Sequence, residues 1–373
     1  MKKLFALLMA VMMCVCMVSG LAETAGEAYK IGVVIPLSGN FAFFSAYFSP
    51  ILDIYVKDLN EAGGINGHPV ELVYKDNQGD ATITAQRLDE LLEENVSAVI
   101  GPFMDTCGPA AAQWATENKI PVVMCCALST EIGMANQSDY VFCAGSSAWA
   151  WAKVFANAVN AAGYESAYYV GNEGGVPDDV YNFFWEEMKK LNPDVENIGS
   201  VRLSGTESDL SSVIASIMMA DPDVVVTSLT GGGAITFITQ DVQFGLYDDG
   251  DMYGVYTEGA DHTESLADSY PCGSIWAIDW FPVNFAATQD WAEEIYNAAG
   301  GVIPNGASFN FYMAAATVCE ALKTMDFEAR FDSDKLVEAL EQIKVASPLD
   351  GYECYYTDYS HQMICPMYFS GSA

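Results

Sequence analysis

From residue 29 onward, short apolar runs rich in Val and Ile alternate with longer stretches whose apolar positions recur every three or four residues. The first kind of run predicts buried strands, the second amphipathic helices. In the first part of the chain the strands fall at Ile31–Ile35, Val70–Tyr74, Ala98–Ile100, Val122–Cys125 and Val141–Cys143. The helices between them fall at Ser45–Glu61, Ile83–Glu93 and Pro109–Glu117. The pattern then repeats. Strands at Ala167–Val170, Ile198–Arg202, Val224–Thr227, Met252–Tyr256 and Ser274–Ile278 alternate with helices at Trp149–Ala162, Asp178–Leu191, Asp209–Met219 and Ala234–Phe244. After Trp280 the pattern turns helical, at Gln289–Ala299, Phe309–Thr324 and Ser333–Ile343, and the tail Gly351–Phe369 reads as β.

Strands that alternate with helices predict parallel sheets covered on both faces. Two successive series predict an α/β protein of two doubly wound lobes. The stretch Ala62–Asp80 (AGGINGHPVELVYKDNQGD) sets the pattern. Gly63–Gly64 ends a helix, Asn66–Gly67 turns the chain, and Val70–Tyr74 returns as a strand that closes in polar residues. Such polar segments lie at the carboxyl ends of the strands, the edge at which open α/β sheets bind ligands.

IGVVIPLSG, NEAGGINGHPVELVYKDNQGD and SAVIGP, in that order, resemble the amino-terminal lobe of the branched-chain amino-acid-binding proteins, the solute receptors of ABC importers. The resemblance implies the type I periplasmic-binding-protein fold, with a multi-strand hinge between the lobes. Lobe one is then expected to comprise 27–145 and 281–346, and lobe two 146–280 and 347–373. The crossings fall near Gly145, Asp279–Phe281 and Ala346–Pro348.

Composition narrows the reading further. Met1–Gly20 carries Lys2 and Lys3 ahead of an apolar run, and Gly20-Leu21-Ala22 suits signal peptidase, so residues 1–22 are expected to be a cleaved export signal. Met13 and Val15, which precede Cys14 and Cys16, do not suit a lipid-anchor site; an uncleaved anchor is the alternative. A formal net charge of −35 speaks against nucleic acid or an anionic membrane surface as partner. Ten cysteines without a CxxC pair, and only three histidines, offer no structural zinc pattern. Export permits disulfides, and Cys354 and Cys365, which flank a hairpin-like segment, are the expected pair.

Candidate ligand residues follow the strands. In Ser38–Ser45 (SGNFAFFS) the aromatic residues either fill the core or line a cleft, and the resemblance matches Phe44 to an aromatic residue that covers the ligand. In Gly101–Cys107 (GPFMDTC) Met104 and Asp105 stand where the family uses small hydroxyl residues for a ligand carboxylate, and Thr106 keeps a hydroxyl. Asp105 otherwise reads as a helix cap. In Cys126–Thr130 (CALST) the resemblance assigns Ala127 and Ser129 to the carboxylate, with Leu128 the alternative match. Thr230–Gly233 (TGGG) follows a strand but lacks the Gly-Lys-Ser/Thr of a phosphate loop; its glycines allow close backbone approach, to a ligand beside Thr230 or to a neighbouring loop. In Tyr256–Ala260 (YTEGA) Glu258 matches the glutamate that pairs with a ligand ammonium. Val176 stands where the family often has Tyr.

No GxSxG, HExxH or Cys–His pattern points to an enzyme. The expected function is that of an exported receptor, periplasmic or at the cell surface. It captures a small polar ligand, an amino acid or a related amide or amine, and hands it to an ABC permease, as a monomer without cofactor. A sensor module that reports its ligand to a receptor, and a hydrolase on the same fold, are the alternatives.

Overall fold

A computed structural model of the chain describes residues 27–125, 138–145, 147–204, 207–229, 231–246, 251–254, 275–279, 293, 296–298, 300–301, 306–348, 351–358, 360–366 and 368–371. The first apolar run forms β1 (Tyr29–Ile35), which pairs in parallel with β2 (Val70–Asp76) along its whole length. Between them α1 (Ser45–Glu61) turns Phe48, Ile51, Leu52 and Val56 inward, the spacing of one helical face. The return turn is closed by reciprocal bonds between Ile65 and His68. Gly64 in this turn has φ +71°, and a Cβ there would strike the His68 carbonyl, so no side chain fits. Asn60 fastens the end of α1 to β2 by donating to the Val70 carbonyl (2.9 Å) and accepting from the Val70 N–H (2.8 Å).

Further crossovers through α2 (Ala81–Glu93) and α3 (Gly108–Asn118) add β3 (Ala98–Ile100), β4 (Val122–Met124) and β5 (Val141–Cys143). The first sheet has the order β2-β1-β3-β4-β5, all parallel. After α4 (Ala148–Ala162) the chain builds a second sheet from β6 (Ser166–Asn172), β7 (Glu196–Leu203), β8 (Val224–Ser228), β9 (Asp251–Gly254) and β10 (Ile275–Asp279). The helices α5 (Gly175–Leu191), α6 (Ser211–Ala220) and α7 (Gly231–Phe244) connect these strands. Its parallel part runs β7-β6-β8-β9-β10, the order of the first sheet repeated. The two lobes expected from the repeated pattern are therefore two copies of one doubly wound topology.

The later helices behave differently from one another. In α8 (Gly306–Lys323) fourteen of the eighteen positions are buried, so the helix is enclosed and not laid on a surface. It packs on α1 and β3, with Phe48 stacked on Phe311 (4.2 Å between ring centres) and Tyr55 edge-on to Tyr312 (5.2 Å). By contrast α9 (Ser333–Gln342) buries only Leu336, Val337 and Leu340. Most of the helix expected at Gln289–Ala299 lies outside the described residues.

The tail divides. β11 (Val345–Ala346), β12 (Glu353–Tyr356) and β13 (Met363–Ile364) form a small antiparallel sheet, and a bridge from Gln362 to Cys143 sets it against β5. Only β14 (Tyr368–Gly371) enters the second sheet, antiparallel to β10. Among the described residues no helix is long and apolar enough to cross a membrane.

Candidate functional site

In each sheet the strand order reverses beside the first strand, between β1 and β3 in one and between β6 and β8 in the other. The crossover helices leave opposite faces there, so the loops at the carboxyl ends part and open a crevice. Of the candidate loops, the described ones after β1 and β3 leave the first sheet at this edge, and the one after β6 leaves the second.

The loop after β1 is shaped by the last residue of β2. Asp76 accepts from the backbone N–H of Leu37 (2.9 Å), Ser38 (3.2 Å) and Gln78 (3.0 Å), and its second oxygen accepts from the Ser38 hydroxyl (2.5 Å). Burial pushes this carboxyl up, but the Ser38 hydroxyl and the three N–H groups outweigh it and hold its pKa below the ordinary aspartate value. The next residue, Asn77, is fully buried; its Nδ2 donates to Thr84 Oγ1 (3.0 Å) and its Oδ1 accepts from the Gly79 N–H (3.1 Å). Asp80 caps α2 by accepting from the Ile83 N–H (2.9 Å). The polar run Asp76–Asp80 therefore fixes two loops at the crevice and starts a helix.

Past this clamp the chain makes a single 3-10 turn, Ala42–Phe44. Phe44 is half-buried against Phe43 (4.1 Å between ring centres) and Phe103 (4.8 Å), and Phe103 packs on Phe48 (4.5 Å). Phe43 remains 60% exposed, so the cluster runs from the core out to the surface. Of the aromatic residues in this stretch, Phe44 is half-buried and Phe43 exposed, so neither is enclosed in the core as Phe48 is.

After β3, Gly101 has φ +95° and lies against the Val34 carbonyl, which leaves no room for a side chain and lets the loop cross close over β1. Asp105–Cys107 then form one 3-10 turn ahead of α3. Asp105 is half-buried and Thr106 exposed. Asp105 does not cap α3: Cys107 holds that position without a side-chain bond, because the extra turn moves the helix start two residues on. Its charge reaches the end of β5, where burial first and Asp105 second push the Cys143 thiol up to about 12.

Ala127, Ser129, Thr230 and Glu258 lie outside the described residues. The segment before Ala127 is described: the Cys125 N–H donates to the Pro102 carbonyl (3.3 Å), and Asn310 Nδ2 from α8 donates to the Cys125 carbonyl (2.9 Å). Asn310 is fully buried, and α8 thus fixes the point at which the β4 loop departs. In the second crevice, Tyr169 on β6 donates to the Pro177 carbonyl (2.8 Å) and lies 2.5 Å from Ser228 Oγ on β8. Arg202 covers the rings of Tyr169 (4.7 Å) and Tyr181 (4.3 Å) and binds Asp178 (2.7 Å). Val176 lies in the first turn of α5, half-buried.

Comparison with known proteins extends this picture. A family model described as periplasmic binding protein matches residues 28–371. The chain belongs to that family. Among its relatives, a Leu/Ile/Val-binding protein homolog 7 of Brucella abortus is 24% identical over 355 residues, 87% of this chain and 83% of that one. A chemotactic signal transduction system substrate-binding protein, BasB of Halobacterium salinarum, is 30% identical over 118 residues, a match that spans only 29% of that protein. Solved structures share the fold. The closed conformation of a leucine-, isoleucine-, valine-, threonine- and alanine-binding protein from Brucella ovis has a TM-score of 0.82 at 18% identity and covers 93% of this chain and 90% of that one. An R. palustris solute-binding protein in complex with benzoate has a TM-score of 0.76 at 19% identity and covers 93% and 94%.

Within this periplasmic binding protein the cysteines differ from expectation. Cys354 and Cys365 are thiols in the structure and not a disulfide. The pairs Tyr355–Ile364 and Tyr356–Met363 put them in cross-strand register, so their facing was legible, but redox state follows from the oxidants the protein meets and not from spacing. Burial pushes the thiols of Cys125, Cys143, Cys319 and Cys365 up, which keeps them neutral and poor nucleophiles. Asp76 and Asn310 were missed as supports of the site. The polar run around Asp76 was visible in sequence, whereas nothing near Asn310 names its partner 185 residues away.

Proposed function

We propose that this chain is the extracytoplasmic solute-binding receptor of an ABC importer. It is exported by a signal cleaved after Ala22 and captures one small polar ligand between two closing lobes for delivery to a permease. The observation that carries the reading is the repeated strand order, two crevices of one topology, in a family match that spans nearly the whole chain. Neutral buried thiols give no support to a hydrolase. The BasB likeness supports a second reading, a receptor that reports its ligand to a signalling partner.

The ligand is read as an amino acid or a related amide or amine. Phe44, with Phe103 behind it and Phe43 at the rim, supplies an apolar wall. Asp105, Thr106, Ala127, Ser129 and Thr230 surround the polar end, and Glu258 from the second lobe takes the ammonium. Names among the structural neighbours include both amino-acid and benzoate binders, and Glu258 separates these classes because benzoate has no cation to pair with it. Calorimetric titration of L-leucine and of benzoate tests the assignment. Glu258→Ala is expected to cost about 2–5 kcal/mol of leucine affinity, the range for removing one partner of a buried charged pair, and to leave benzoate affinity unchanged. Leucine binding that is equally tight in Glu258→Ala would refute the role of Glu258.

A further inference from the structure

Three chain segments meet where the first lobe hands over to the second. β5 ends at Cys143 and leads through Gly145 into α4 and the second sheet. The tail turn at His361–Gln362 lies along it: the Cys143 N–H donates to the His361 carbonyl (3.0 Å), and Gln362 Nε2 donates to the Gly145 carbonyl. His361 has φ +49°, a conformation rare outside glycine, held by a bond from its N–H to the Thr357 carbonyl (2.9 Å). Its ring stacks on Phe142 at 4.1 Å, with 1° between the planes, and is 7% exposed.

Both ring nitrogens face acceptors. Nδ1 is 3.1 Å from the Val141 carbonyl, and Nε2 is 3.0 Å from Glu341 Oε1 on α9. A carbonyl oxygen only accepts, so Nδ1 carries a hydrogen. The neutral imidazole then turns a lone pair toward a carboxylate oxygen. Exchanging tautomers only moves the same clash to Val141. One additional proton, on Nε2 or on Glu341, satisfies both contacts.

We propose that His361 and Glu341 hold this shared proton as a clamp that fastens the tail, seated on the strand leading out of the first lobe, to α9, and that the clamp loosens when the proton leaves. The other ionisable groups around it do not replace the proton. Cys143 on β5 is a thiol pushed up to about 12 by burial, and Tyr356 on β12 is raised by burial. On the approach to β5 Tyr140 donates to Asp334 of α9 (2.5 Å), and Asp358 in the tail turn is exposed. The sign follows: the contact is present while the extra proton is held and is lost on the alkaline side, once it has left.

The test is thermal unfolding from acid to alkaline pH for the wild type, His361→Gln, Glu341→Gln and His68→Gln. His68 is the control: its ring stacks on Phe327 and touches the Glu27 carbonyl, with no carboxylate partner among its described bonds. In Glu341→Gln the amide donates to the neutral imidazole, so the contact survives without the extra proton. Relative to the wild type and His68→Gln, both clamp variants are expected to lose about 1–3 °C of the midpoint drop between acid and alkaline pH. Nitrogen-15 shifts at about pH 5.5 are expected to show hydrogen on both His361 nitrogens, or one hydrogen shared across Nε2 and Glu341. Should His361→Gln fail to fold, Glu341→Gln and the shifts decide. Parallel midpoint curves for wild type and Glu341→Gln, or a bare Nε2 lone pair at acid pH, would overturn the clamp.

Discussion

Asp76 shows how one residue shapes a loop it does not belong to. Its carboxylate gathers donors from Leu37, Ser38 and Gln78, and these contacts lower its pKa against the opposing effect of burial. A carboxylate whose pKa is depressed on folding contributes stability above the ordinary aspartate range, and that stability is lost as pH falls through the depressed value. Asp76→Asn is therefore expected to melt below the wild type at about pH 7, with the gap closing as pH falls below about 4. Melting curves along that pH series check this, and a gap independent of pH would contradict it. The sequence showed Asp76 as one of several polar residues after a strand. It did not show the partner loop 38 residues earlier, because backbone donors leave no signature in side-chain identity.

At the scale of elements, strands and helices were legible because burial and period coincide. Ala98–Ile100 and Val141–Cys143 fall where the apolar runs place them, as does the helix Ser45–Glu61. The misplacements are at ends. β7 begins at Glu196, two residues before its apolar run, since the edge strand pairs on through exposed polar residues. The enclosed position of α8 was not legible: its many alanines and aromatic residues read as one more helix, and only the fold shows that it underlies β3 and α1. Its stacked Phe311 joins it to Phe48 and through Phe103 to the aromatic rim. Phe311→Ala is expected to lower unfolding free energy by about 3–5 kcal/mol, measured by urea titration. A loss below about 1 kcal/mol would mean that α8 is not a load path between core and rim.

At the scale of the molecule, the repeated pattern foretold two lobes, and the shared strand order makes each lobe present a crevice at the same topological position. What the pattern could not give is the division of the tail, in which β11–β13 brace the outlet of β5 and β14 joins the second sheet. Contacts across such sequence distances are set by which edges remain uncovered once the sheets have formed. The function follows from this geometry if the crevices close on one molecule. The most direct measurement is native mass spectrometry of residues 23–373, stripped of ligand by unfolding and refolding, after exposure to a pool of the protein amino acids and simple aromatic acids. The account predicts a complex with one small molecule per chain that dissociates on unfolding. A chain that refolds and retains no member of the pool would contradict it.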